Sequence, residues 1–109
     1  MMENGKTLPP IVLNASSHRF PIGSLMITTA ARTLLIENNA DPSQYLQRHA
    51  AGDWGEVCEE DRQQNDFEVS HKNRLMSVYY LVPGQEDSRI WIITEGDRSY
   101  TTILLPEDY

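Results

Sequence analysis

His49, Arg74, Arg98 and Thr102 are the residues of this chain whose types suit catalysis without a metal. Cleavage of RNA through its 2′-hydroxyl needs a base, an acid and a cation for the charge that develops on the phosphorane. His49 suits the base or acid, Arg74 or Arg98 the cation. Tyr79, Thr102 or the C-terminal Tyr109 could orient the leaving oxygen. Each also has a plain structural use. A histidine on the inner side of a short helix serves as a hydrogen-bonded packing residue. Arg98, beside Asp97 and across from Glu95, suits a surface ion pair of small value. Thr101 and Thr102 are ordinary strand residues.

A metal site is the second chemistry to consider. His49, Asp53, Glu56 and Cys58 lie within ten residues, and His71 follows. No Cys-x-x-Cys or His-x-x-x-His pair accompanies them, so incidental polarity is the better reading, with no metal and no cofactor expected. Cys58 has no base at motif spacing, and its acidic neighbours would raise its pKa, which removes it as a nucleophile.

Charge argues against a nucleic-acid substrate. The chain carries −7, and the stretch from Asp53 to Glu68 holds seven acids against one base, Arg62, or −6 of that total. There is no basic stripe to neutralise phosphates, and an RNA would meet a repulsive field. The same argument disfavours anionic membrane surfaces. The acidic stretch reads as a solvated helix face or as a surface offered to a basic partner, with Glu56 and Glu60, and Asp61 with Asp66, regularly spaced.

These residues need a scaffold, and 109 residues make one domain able to bury a core without staples. A single cysteine fits a reducing cytoplasm. No apolar run is long enough to span a bilayer, and residues 1–10 lack a signal-peptide pattern, so a cytoplasmic protein with no membrane partner is expected. Residues 1–18 read as a flexible arm and 19–109 as the domain.

Thr28 or Thr29 can cap a helix to Asn38, and Leu25-Met26-Ile27 is a short strand or the lead-in to it. Asp41-Pro42-x-Gln44 starts a second helix, with Gly52 as its C′ residue. Gly52-Asp53-Trp54-Gly55 is a turn with an aromatic anchor, and residues 58–72 are polar but compatible with a helix. Residues 73–82, 89–95 and 100–105 alternate as strands. Pairing Glu95 with Tyr100 sets Trp91 against Leu104 and Ile93 against Thr102 on one face, and Ile92 against Ile103 and Thr94 against Thr101 on the other. The fold class is therefore α+β: N-terminal helices packed on a three-stranded antiparallel meander. Two helices cover one face. The other displays Trp91, Ile93 and Leu104, with Met76 and Tyr80 beside them, and needs self-coverage, a homodimer or another protein.

Several blocks together carry a family resemblance: Tyr45-Leu46-x-x-His49, Gly52-Asp53-Trp54-Gly55, Glu60-Asp61-x-x-x-Asn65, Arg74-x-x-Ser77-x-Tyr79, and above all Trp91-x-Ile93-Thr94-Glu95-x-Asp97-Arg98-Ser99-x-Thr101-Thr102-x-Leu104-Leu105-Pro106-x-x-Tyr109. From about residue 20 onward the chain resembles the short "plasmid-related" hypothetical proteins of bacterial plasmids and integrative elements. The resemblance implies a mobile-element context and supplies no mechanism.

The leading expectation is a small acidic accessory protein that acts by binding a protein partner or itself. Its binding residues would be Trp91, Ile93, Leu104 and Trp54, or the acidic Glu56, Glu60 and Asp61. The alternative is a small ribonuclease, analogous in architecture to the barnase and RelE-like class, using His49, Arg74, Arg98 and Thr102. Catalysis requires those four to share one cleft; a binding role requires a contiguous exposed apolar face.

Overall fold

The computed structural model describes residues 7–109. It is an α+β fold built on one four-stranded mixed sheet of order β1-β4-β3-β2. The strands are β1 (Ser24–Ile27), β2 (Leu75–Tyr80), β3 (Arg89–Thr94) and β4 (Tyr100–Leu104). The helices α1 (Thr29–Glu37), α2 (Pro42–Ala50) and α3 (Glu59–Glu68) all lie between β1 and β2 in sequence.

The expected three-stranded antiparallel meander is thus incomplete. β2, β3 and β4 do form it, and β3 pairs with β4 as the alternation predicts: Trp91 with Leu104, Ile92 with Ile103, Ile93 with Thr102 and Thr94 with Thr101. β1 then adds to the free side of β4 in parallel, pairing Leu25 with Thr101 and Ile27 with Ile103. Four residues are too few to show an alternation, and a parallel partner separated by three helices and two strands leaves no local signal.

The helices begin and end on the groups their sequences offer. The Thr28 hydroxyl accepts from the Ala31 N–H at 3.1 Å to start α1. Asp41 accepts from the Ser43 N–H at 2.9 Å ahead of Pro42, starting α2. Gly52, at φ +86°, closes α2. Its N–H bonds to His49 O while the Asp53 N–H bonds to Arg48 O, the two bonds of a Schellman motif.

The inner face of the sheet is apolar and sealed. Leu25 and Ile27, Ile103, Ile90 and Ile92, and Tyr79 meet Ala31 and Leu35 of α1 and Tyr45 and Leu46 of α2. A second cluster, Phe20, Trp54 and Leu75, closes the end beside α3. The segment read as an arm runs along α2. The Gln47 amide both donates to Asn14 O and accepts from the Asn14 N–H, and the Ser43 hydroxyl accepts from the Val12 N–H. Leu8 and Leu13 pack against the core.

The acidic stretch contains a helix, but apolar contacts do not hold it. Phe67 is 57% exposed and stacks on His71, and Asn65 is the buried residue of α3. Hydrogen bonds dock α3 instead. The Asn65 amide donates to Met76 O at 2.8 Å, and Asp66 accepts from the Trp54 indole N–H at 3.0 Å and from Arg19 at 3.1 Å. Glu59, Glu60 and Asp61 in the first turn complement the helix dipole.

Candidate functional site

His49 is fully buried at the centre of a polar chain that crosses the inner face of the sheet. Its Nδ1 lies 2.5 Å from Ser77 Oγ and its Nε2 lies 2.9 Å from Thr94 Oγ1. Thr94 Oγ1 lies 2.7 Å from Thr101 Oγ1, whose hydroxyl donates to Ile22 O at 2.7 Å. A carbonyl can only accept, so the last bond orients all the others. Thr101 accepts from Thr94, Thr94 accepts from His49 Nε2–H, and His49 Nδ1 accepts from Ser77. The imidazole is therefore the neutral Nε2–H tautomer. Burial, with the Arg98 cation nearby, holds its pKa down to about 3. Phe20 and Trp54 meet the ring edge-on at 5.3 and 5.6 Å. Both nitrogens are engaged and no solvent reaches them.

The four residues of the ribonuclease alternative do not converge. Thr102 pairs with Ile93 on the outer face, opposite the face that holds His49. Arg74 lies on the outer side, donating to the Tyr109 hydroxyl at 2.8 Å and pairing with Glu95 at 3.3 Å. Arg98 makes no ion pair with Asp97 or Glu95. Its guanidinium donates to four backbone carbonyls, those of Glu68 and Val69 at the end of α3 and those of Asn73 and Glu95. A planar fork with five donors suits several carbonyls better than one exposed carboxylate. The turn that aims it has Arg98 at φ +62°.

The residues considered for a metal are likewise spent or dispersed. Asp53 accepts from Arg48 at 2.7 Å and from the Gly55 N–H, which holds its carboxyl below the usual range, and His49 belongs to the core. Among the described residues no three His, Cys, Asp or Glu side chains gather at a metal-binding spacing. No described helix is long and apolar enough to cross a membrane.

The binding residues expected from sequence divide. Trp54 is wholly buried and unavailable to a partner. Ile93 (4% exposed) and Leu104 (7%) are buried too, although both lie on the outer face. Trp91 stays partly open and meets the Tyr109 ring at 5.6 Å, where the C-terminal turn Pro106–Asp108 crosses β3. That turn is held by Asp108, which accepts from the Thr28 hydroxyl at 2.6 Å and from the Leu105 N–H at 3.0 Å. Around it the outer face presents Met76, Val78 and Tyr80 half-buried and Met26 at 46% exposure. Alternation along residues 73–82 marked the first three; Met26 was invisible without β1. Glu56, Glu60 and Asp61 are exposed and form no ion pair among the described residues.

Comparisons with protein-family models, with curated proteins and with solved structures find no match to this chain. The resemblance to plasmid-related proteins therefore rests on its motifs alone.

Proposed function

We propose that this chain is a non-enzymatic accessory protein of a mobile element, acting in the cytoplasm by binding a protein partner or a second copy of itself through the outer face of its sheet. One contrast supports the reading. α1 and α2 seal the inner face, whereas the outer face keeps Trp91, Met76, Val78, Tyr80 and Met26 partly exposed beside a single C-terminal turn. The unpaired carboxylates of Glu56, Glu60 and Asp61 would favour a basic partner by steering its approach. The ribonuclease alternative lacks comparable support, since its base is buried, Arg74 lies on the outer side, and the Arg98 guanidinium is engaged by backbone carbonyls.

Two measurements test the proposal. Purified protein incubated with total RNA in EDTA should leave the RNA intact; cleavage that vanishes with His49→Ala would overturn the non-enzymatic reading. A partner retained by the wild-type protein should be lost with Val78→Glu while the circular dichroism spectrum stays unchanged. Retention by that variant would remove the outer face from the proposal.

A further inference from the structure

The two ends of the sheet differ in how their outward backbone groups are satisfied. In β1, the N–H groups of Ser24 and Thr28 donate to Ser99 O and Ile103 O, both at 3.0 Å, so the even-numbered residues face β4. Successive residues of a strand alternate sides, which turns the N–H and C=O of Leu25 and Ile27 away from the sheet. No described residue bonds to them. Exposed strand edges are ordinarily blunted by a lysine, a proline, a bulge or a covering loop, or are kept short, as the four residues of β1 are. Ser24-Leu25-Met26-Ile27 contains none of the first three. From Phe20 to Ala31 the chain has no charged residue at all, although it carries −7 overall and concentrates −6 in the stretch 53–68. That stretch packs beside β2, at the opposite end of the sheet.

We infer that β1 is a self-association edge, on which a second copy of this chain pairs antiparallel about a two-fold axis to make one eight-stranded sheet. The occupant follows from register and charge. An antiparallel pairing with Met26 opposite its own copy sets Leu25 against Ile27 of the other chain, and Ile27 against Leu25. Both are the outward-facing pairs that exchange two hydrogen bonds each. The same strand therefore satisfies its own copy without a register shift, as a two-fold interface requires. Met26 on the outer face then lies against its symmetry mate, covering a side chain that is 46% exposed in the single chain. The uncharged edge brings two strongly acidic chains together at the end of the sheet away from their acidic stretches. The inference goes beyond the proposed function, because it concerns an edge and stands whether or not the outer face takes another protein.

Sedimentation of the full chain over a range of concentrations should show a mass twice the 12.5 kDa of one chain at the upper end. Met26→Lys and Met26→Glu, each of which sets like charges across the axis, should sediment as monomers with unchanged circular dichroism. Mixing the two variants should restore the dimer. In a Cys58→Ser background, Met26→Cys should form an intermolecular disulfide under mild oxidation and Ser24→Cys should not, because Ser24 faces Thr28 of the other copy in this register. A monomer at every concentration would overturn the inference. So would a dimer that survives Met26→Lys: loss of that dimer with Val78→Glu would place self-association on the outer face and leave the proposed function standing.

Discussion

At the β2 edge Met76 and Val78 have partners for both of their outward backbone groups, whereas at the β1 edge Leu25 and Ile27 have none among the described residues. The capping of β2 is assembled from remote pieces. The Asn65 amide faces Met76, donating to its carbonyl at 2.8 Å with its own oxygen 3.4 Å from the N–H. Val78 donates to Trp54 O and accepts from the Glu56 N–H. Gly55 makes that approach possible, since a Cβ there would lie 2.0 Å from Val78 O. An edge occupied at Met76 and Val78 resists another strand along most of its length, and an edge with no such partners invites one. The edge pairing inferred above would therefore have a direction, set by which edge the acidic segment covers.

Trp54→Ala should break the capped edge most severely. It removes a wholly buried side chain that carries the capping segment, and a loss of about 3–5 kcal/mol in urea unfolding is expected.

Acid should weaken the sheet between the two edges, because the His49 chain ties β2, β3 and β4 to α2 and ends on the Ile22 carbonyl just before β1. A histidine whose pKa falls from 6.5 to about 3 on folding leaves the unfolded chain with more bound protons below pH 6.5. Stability is therefore complete above that pH and declines as pH falls, by about 1.4 kcal/mol per unit toward pH 3. The fall between pH 6.5 and 4.5, above the range of the carboxylates lowered at Asp53 and Asp66, should be absent in His49→Gln.

Asn65→Ala sharpens the comparison by uncovering β2 at Met76. It should cost about 1–3 kcal/mol and, with both edges then open, produce species larger than a dimer in light scattering. Species no larger than those of the wild type would show that the Trp54–Glu56 segment protects that edge unaided. Met26→Lys should have the smallest effect on folding, within about 0.5 kcal/mol by thermal melt, while abolishing self-association.

The local elements were legible because their signals are local. Asp41-Pro42 and Gly52 bound α2, and alternation along residues 89–105 fixed four cross-strand pairs. The candidate site was legible only in part. Trp91, Ile93, Leu104, Met76 and Tyr80 fell on the expected outer face, but Ile93 and Leu104 are buried there and Trp54 lies in the core. Residue type cannot distinguish burial from partner contact, because neighbours from distant segments decide exposure. Arg98 shows the same limit: Asp97 and Glu95 are near in sequence, yet its donors go to the carbonyls that end α3.

By itself, then, the sequence determined the caps of the first two helices, the β3–β4 register, the uneven charge and the residue types open to catalysis. Those are properties of short windows, governed by backbone sterics, side-chain period and local hydrogen bonding. Tertiary structure alone decided that β1 joins β4 in parallel, that His49 is a sealed neutral link and that Met76 and Val78 at one sheet edge are capped while Leu25 and Ile27 at the other have no partner among the described residues. Each of those outcomes depends on contacts between residues far apart in the chain, which a window of sequence does not encode.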